Sequence, residues 1–131
     1  MLTDEMRAFL QKPLVARMST MDANGYPHTV PVWYMLDNDD IVIISIRQTA
    51  KIGHLKTSPK GAVAIGGDPN DGGGYLIKGE FTIEEDPDDF WMKKLTYHYE
   101  SGAQAEKDIA DWTPLDIVLL RLKIKSIAKV A

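Results

Sequence analysis

The sequence predicts a mainly β domain of the α+β class: a small antiparallel barrel with helices at its periphery. Two observations predict this fold. About six apolar runs of strand length are separated by turn-forming residues, and only three segments carry helix signals. The chain has 131 residues, of which 44% are hydrophobic. Because single domains most often contain about 100–150 residues, we expect one domain over residues 1–131.

The N-terminal half is predicted to hold two helices and three strands. Thr3 is a suitable N-cap followed by acidic residues, and Pro13 ends the helix that begins there. Asn24-Gly25 favours a tight turn, because both residue types tolerate positive φ. The segments between these signals predict strands over Leu14–Thr20, Tyr26–Leu36 and Asp40–Ile46 and a short helix over Thr49–Ser58.

The C-terminal half is predicted to hold three strands and one helix. Asp86 is a suitable N-cap with Pro87 at the first helical position, and this helix is expected to end near Ser101-Gly102. Gln104–Pro114 is polar and is expected to be irregular. Gly79 within a strand favours a bulge or a close backbone approach. The predicted strands are Gly61–Gly67, Tyr75–Glu84 and Leu115–Lys123.

Three of the predicted strands are apolar on both faces. Tyr26–Leu36, Ile41–Ile46 and Ile117–Leu120 lack the alternation of a strand with one face in water. Few helices are available to cover them, so we expect a second copy of the chain, in a homodimer. Pro27 and Pro31 lack N–H groups and place the first of these strands at an edge or a bulge. There, free backbone groups either meet a ligand or form merely irregular structure.

The composition argues against several classes of partner. The net charge is −4 and no basic stretch is present, which disfavours nucleic acid. No apolar run reaches the ~18 residues of a membrane-spanning helix, and no signal-peptide core is visible. The lack of cysteine excludes thiolate-bound metals, and His28, His54 and His98 match no metal-ligand spacing. We therefore expect a cytoplasmic protein with no metal, nucleic-acid or membrane ligand.

Hydroxyl and cationic side chains gather where the third strand leads into the second helix. These side chains are Ser45, Arg47, Thr49 and Lys51. A helix N-terminus offers unpaired N–H groups, Arg and Lys supply charge, and hydroxyls donate hydrogen bonds, so the cluster suits a phosphate group. The alternative is that both cations are solvated or paired with the abundant acids. His54 either assists this anion site or is an ordinary, partly exposed side chain.

No side chain stands out as a nucleophile or a general base. The sequence has no G-x-S-x-G, Walker or H-E-x-x-H motif, so catalytic residues stay unassigned. If the protein is an enzyme, a bound cofactor is expected to carry the reactivity. Trp33 adjoins the predicted anion site and is the aromatic residue best placed to meet a ligand. Trp91 and Trp112 are candidates to complete the site from a second subunit.

Several segments follow one another in a recognisable order and spacing: Thr20–His28, Pro31–Tyr34, Ile43–Ser45, Lys51–Leu55, Ser58-Pro59, Leu76–Glu80, Tyr97–Tyr99 and Ile117–Leu122. Together they resemble the pyridoxamine 5′-phosphate oxidase-like family, the flavin-binding split β-barrels. The resemblance covers nearly the whole chain. It rests on the combined order of the segments, since none of them is diagnostic alone.

The resemblance implies a six-stranded antiparallel split β-barrel, a homodimer, and FMN held at the dimer interface for oxidoreductase chemistry on a small molecule. In the family the phosphate is held by a segment that corresponds to Ala50 and Lys51, with a hydroxyl residue at Ser45, and the ring lies along Val30 to Met35. Together with the junction described above, the expected cofactor-binding residues are Val30, Pro31, Val32, Trp33, Ser45, Arg47, Thr49, Ala50 and Lys51.

The chain departs from the oxidase itself at several positions. Ala50 stands where the oxidase has Arg, and Val30 and Met35 stand where it has basic residues. The resemblance therefore points to the short branch of the family rather than to oxidation of pyridoxamine phosphate. FMN and the deazaflavin coenzyme F-420 are alternatives in that branch, so an F-420-dependent reductase is the second hypothesis. A non-catalytic carrier or sensor of flavin or haem is the third, and a structural dimer without cofactor the fourth.

Overall fold

The computed structural model describes residues 1–130 and places in them seven strands, four α-helices and one 3₁₀ turn. None of these helices is both long enough and apolar enough to cross a membrane. The strands are β1 (Ala16–Met21), β2 (Pro27–Val32), β3 (Tyr34–Asp37), β4 (Asp40–Ile46), β5 (Lys60–Gly66), β6 (Gly74–Glu85) and β7 (Ile117–Lys129). The helices are α1 (Asp4–Leu10), α2 (Ala50–Thr57), α3 (Phe90–Tyr99) and α4 (Gly102–Trp112), and the 3₁₀ turn is Pro87–Asp89.

The strands form one antiparallel sheet whose two edges are joined by a single residue. The strand order is β2-β1-β5-β6-β7-β4-β3. β2 ends at Val32 and β3 begins at Tyr34, so only Trp33 separates strands that lie at opposite edges. Two residues of extended chain span at most about 7 Å, so the sheet must curl until its edges nearly meet. The structure thus confirms the split barrel.

The barrel has seven strands where the sequence predicts six. The prediction treats Tyr26–Leu36 as one strand, but the chain divides this segment between two partners. Ala16 pairs with Val32 at one edge, whereas Tyr34 pairs with Ile43 at the other. A segment that is apolar on both faces carries no signal for such a break, because its periodicity is the same before and after it.

Alternate residues of every strand except β2 point into one hydrophobic core, and the partly buried Val32 of β2 packs against it. Helices α1 and α2 complete this core with two buried side chains each. The core residues are Phe9, Leu10, Ala16, Met18, Tyr34, Ile41, Ile43, Ile52, Leu55, Val63, Ile65, Tyr75, Ile77, Phe81, Val118, Leu120 and Leu122. The helix prediction for Thr49–Ser58 is confirmed by α2, whose buried residues are the expected Ile52 and Leu55.

Helix α3, backed by α4, covers the outer face of the sheet at β4. Val42 and Leu119 point away from the barrel core yet are fully buried, as are Met92 and Leu95 of α3. Helix α3 packs on β4, and α4 packs on α3. Apolar side chains on both faces of β4 and β7 are therefore buried within the single chain, and their burial does not require a second copy. The homodimer stays a prediction.

The prediction of irregular structure for Gln104–Pro114 is wrong, because helix α4 spans most of it. Ala105 is the only residue of α4 that is fully buried, so the segment reads as polar. The signal that could have revealed the helix is the spacing of Ala105, Ile109 and Trp112, which fall at i, i+4 and i+7 on one helical face.

Candidate functional site

The junction between β4 and α2 brings two hydroxyl groups together. Ser45 is buried near the end of β4, and Thr49 occupies the N-cap position of α2 in extended conformation. Their side-chain oxygens lie 3.1 Å apart. Both hydroxyls donate to the carbonyl oxygen of Ile46, at 3.1 Å from Ser45 and 2.9 Å from Thr49. The tight turn after β4 thus fixes both oxygens at one point.

The N-terminus of α2 has no side-chain cap. The Thr49 hydroxyl makes no hydrogen bond to the first turn of the helix, because it is directed back to β4. The first backbone N–H groups of an α-helix have no partner within the helix, and they carry the positive end of its dipole. An anionic oxygen therefore finds donors here that the chain itself does not satisfy.

Lys51 is a half-buried cation without a counter-charge. Its only hydrogen-bond partner among residues 1–130 is the Thr49 hydroxyl, at 3.4 Å, and it forms no salt bridge with any of them. Burial lowers the pKa of the Lys51 ammonium from its ordinary value, since its charge is poorly solvated. A bound anion would relieve this cost.

Two adjoining cavities open beside this junction. The first has a volume of about 300 Å³, and Ser45, Thr49 and Lys51 lie in its wall. The second, of about 370 Å³, is apolar and shares four lining residues with the first. We call them the junction cavity and the apolar cavity. The shared residues are Pro31, Val32, Trp33 and Trp112. The junction cavity adds Ile44, Ile46, Leu115 and Ile117, and the apolar cavity adds Val15.

Aromatic residues hold the shared wall of the two cavities. Trp33 stacks face to face on Tyr99 of α3, and Trp112 of α4 meets Trp33 edge-on with ring centroids 6.1 Å apart. Because Tyr99 covers one face of the Trp33 ring, only the opposite face is open to a ligand. Helices α3 and α4 therefore shape the site although the β4–α2 junction supplies its polar groups.

Six of the nine predicted cofactor-binding residues line the junction cavity: Pro31, Val32, Trp33, Ser45, Thr49 and Lys51. Arg47 is directed elsewhere. Its guanidinium pairs with Glu85, at 2.6 Å, and with Asp116, at 2.9 Å. The sequence analysis gave pairing with acidic residues as the alternative to anion binding, and the structure shows such pairing for Arg47 but not for Lys51. Val30 and Ala50 line neither cavity.

Trp112 is the main lining residue whose place the sequence did not predict. The sequence suggests it as a candidate to complete the site from a second subunit, and in the structure it lines both cavities of its own chain. It lies on helix α4, which the sequence did not predict, so this position could not be foreseen. His54 matches the alternative of an ordinary, partly exposed side chain, since it lines neither cavity. Its Nδ1 lies 2.9 Å from the Thr20 hydroxyl on β1, and its ring packs edge-on against His28.

The chain matches the sequence model of the pyridoxamine 5′-phosphate oxidase family over residues 2–130. A search of curated proteins finds no significant match. Among solved structures, an F420 reductase is similar with a TM-score of 0.77 and 18% identity, covering 97% of this chain and 98% of that one. General stress protein 26 from Bacillus anthracis is similar with a TM-score of 0.70 and 17% identity, over 94% of this chain and 88% of the other.

A third similar structure is a Listeria innocua protein provisionally assigned as a pyridoxamine 5′-phosphate oxidase. Its TM-score is 0.72 at 20% identity, covering 97% of this chain and 96% of that one. At such identities the structural likeness establishes the fold alone.

Proposed function

This chain belongs to the pyridoxamine 5′-phosphate oxidase-like family, and we propose on that premise that it binds FMN beside Lys51 and serves as an oxidoreductase for a small molecule. One observation carries the proposal: a half-buried lysine without a carboxylate partner faces two hydroxyls at an uncapped helix N-terminus. This set of donors, all on one short segment, matches the needs of a phosphate monoester.

The polar groups of the junction cavity fit the phosphate end of FMN. Lys51 would neutralise charge, and the first N–H groups of α2, beginning at Ala50, would bind phosphate oxygens. The Ser45 and Thr49 hydroxyls would turn from the Ile46 carbonyl oxygen, to which they donate in the free chain, and donate to the phosphate instead. Arg47 is not assigned to the phosphate in this arrangement. It would act indirectly, because its two ion pairs fix the turn that carries Thr49.

The apolar cavity fits the ring end of the cofactor. It continues directly from the junction cavity, and its walls offer the faces of Trp33 and Trp112 and the aliphatic surface of Val32. β2 is an edge strand, so alternate backbone groups along Val30 to Val32 have no strand partner and are free to bond the polar edge of the ring. When bound, flavin supplies hydride and electron transfer. The chain binds it, orients it and excludes water from one of its faces.

Coenzyme F-420 is the second candidate cofactor. It also carries a phosphate next to a flavin-like ring, so the same donors would hold it, and one of the similar structures is an F420 reductase. The nearly apolar lining has a further consequence. Lys51 is the only titratable side chain in either cavity within residues 1–130, so the chain offers no evident general base there. A carrier without turnover is therefore an outcome to test.

We also propose that a second copy of the chain closes the site in a homodimer. Three apolar residues at the cavity rims remain exposed in the single chain: Val15 by 44%, Ile46 by 39% and Leu115 by 41%. A second copy would bury them together with the open side of the cofactor. They lie on β4 and on the segments that precede β1 and β7, and each lines one of the two adjoining cavities.

The experiment is an absorption spectrum of the purified protein followed by titration with FMN and with F-420 at matched salt concentration. Tight FMN binding supports the proposal. Binding of F-420 alone favours the second candidate, an F-420-dependent reductase. Each complex is then mixed with its electron donor, NAD(P)H for FMN and a reduced-F-420 generating system for F-420. A bound cofactor that is never reduced indicates a carrier, and binding of neither cofactor overturns the functional proposal.

A further inference from the structure

A third cavity lies on the outer face of the sheet, across β1, β5, β6 and β7, and shares no residue with the two cavities beside Lys51. Its volume is about 600 Å³, twice that of the junction cavity. We call it the outer-face cavity. Its floor contains the small side chains Ser19 and Ala62, which are paired across β1 and β5. A volume in this range is typical of sites for small organic ligands.

A β-bulge forms one wall of the outer-face cavity. Lys78 of β6 pairs with Ser126 of β7, whereas the next residue, Gly79, pairs with Ile124. Lys125 is thus left without a partner in the ladder. Bulges re-aim side chains and occur often beside functional sites, and here the bulge directs Lys125 into the cavity.

Glycine is required opposite this bulge. A Cβ atom at position 79 would collide with the carbonyl oxygen of Lys123. The close backbone approach that the sequence predicts at Gly79 is therefore present, and it fixes the bulge.

The walls of the outer-face cavity carry an excess of positive charge. Lys60, Lys78 and Lys125 line it, with Glu80 as the single acid. Lys125 and Glu80 pair at 2.7 Å. Lys60 and Lys78 form no salt bridge with any of residues 1–130. Lys60 stands opposite Glu80 in the β5–β6 ladder, so this one carboxylate faces both Lys60 and Lys125, and the lining keeps a net positive charge. On a chain whose net charge is −4, such an excess over one concave surface indicates an anionic ligand.

The remainder of the lining is mostly apolar, with Met21, Pro27 and Ala62 contributing to it. A free inorganic anion would leave this surface bare. We propose that the outer-face cavity binds a small organic anion with a flat apolar body, such as an aromatic carboxylate, whose charged group pairs with Lys60 and Lys78. The apolar body rests on the floor formed by β1 and β5. This site is independent of the cofactor proposed above.

The test compares two probes of the same shape, 2-naphthoate and the uncharged 2-acetylnaphthalene, by isothermal titration calorimetry on the intact protein. Loss of one charge-assisted pair is expected to weaken 2-naphthoate binding about tenfold in Lys60→Met and in Lys78→Met. Ala62→Leu fills the floor and is expected to weaken both probes. Two matched variants, Lys93→Met on the exposed face of α3 and Lys51→Met in the junction cavity, should leave 2-naphthoate binding unchanged.

Three results would overturn the proposal. The first is equal affinity for the charged and uncharged probes, which would make the lysines irrelevant. The second is loss of 2-naphthoate binding in Lys51→Met, which would move the probe to the junction cavity. The third is a change of molar mass in Ala62→Leu, by light scattering, without any change in probe binding, which would assign the outer face to contact with a second copy.

Discussion

Tyr99 stacks on Trp33 with ring centroids 4.5 Å apart and an interplanar angle of 3°. The Tyr99 hydroxyl also closes the barrel split, since it accepts a hydrogen bond from the Tyr34 N–H at 3.0 Å and donates to the Leu14 carbonyl oxygen at 2.7 Å. Burial raises the pKa of this phenol to about 12, so it remains a donor throughout the physiological range. One side chain of α3 thus supports both the fold and the ligand wall.

Tyr99→Phe should destabilise the protein without disturbing the stack. The phenyl ring keeps its contact with Trp33, but the backbone groups of Leu14 and Tyr34 lose their partner, at a cost of about 1–3 kcal/mol. Urea denaturation measures this free energy of unfolding. Tyr97→Phe is the matched control, because Tyr97 is exposed on the same helix. Equal stability of the two variants would show that the hydroxyl does not hold the split.

Lys51→Met should weaken the binding of FMN but not that of riboflavin, which has the same ring and no phosphate. Removal of one charged hydrogen-bond partner is expected to raise the dissociation constant for FMN at least about tenfold. Fluorescence quenching of each ligand measures both constants. Lys56→Met, an exposed lysine of the same helix outside both cavities, is the control. A parallel loss for riboflavin would contradict phosphate recognition by Lys51.

Trp112→Ala should weaken FMN and riboflavin equally, in contrast to Lys51→Met. The indole contacts the ring rather than the phosphate, and loss of an aromatic contact is expected to reduce affinity about threefold to tenfold. Trp91→Ala tests the other tryptophan that the sequence suggested for the site. Trp91 lines neither cavity of its own chain, so a loss of affinity in this variant would indicate that it enters from a second subunit.

Arg47→Ala should leave FMN affinity within about twofold of the wild-type value, since exposed ion pairs contribute little to neighbouring sites. The expected effect is a small fall in the thermal midpoint, because the turn between β4 and α2 loses its links to Glu85 and Asp116. Calorimetry and the FMN titration measure the two effects. A loss of FMN affinity as large as that in Lys51→Met would show that Arg47 contacts the phosphate.

The affinity for FMN should fall at alkaline pH, below the pH at which an ordinary lysine titrates. Binding requires the charged ammonium of Lys51, and burial lowers the pKa of that group. The charge is therefore lost as pH rises through the lowered pKa, and phosphate binding is lost with it. Titrations with FMN and with riboflavin across this pH range measure the affinity; only FMN, which carries the phosphate, should show the fall. Lys51→Arg should remove the dependence, because guanidinium stays charged.

The sequence predicted most of the fold because its signals are local. The cap at Thr3, the Asn24-Gly25 turn and the apolar periods of the strands all act over a few residues, and they are observed. The break at Trp33 was invisible, because it is set by partners on opposite edges of the sheet. Helix α4 was missed because its apolar face is narrow and its remaining surface is polar.

The difference between local signals and distant partners also explains the outcome for the two cations of the predicted site. Arg47 and Lys51 are equivalent by sequence, since both flank one helix start. Asp116, which lies 69 residues after Arg47, decides between them by pairing with its guanidinium. No local pattern contains that information. The sequence could therefore predict that these polar groups lie together on one segment. It could not predict which of them form ion pairs with residues far along the chain.

The central position of β7 has a consequence for biosynthesis. This strand pairs with both β4 and β6, and it follows every other described element along the chain. Translation proceeds from the N-terminus, so β4 has no partner on that side until β7 has left the ribosome. Trp112 and Ile117, which line the junction cavity, emerge equally late. The pocket therefore does not exist until β7 has emerged, and a cofactor can be loaded only after that point of synthesis.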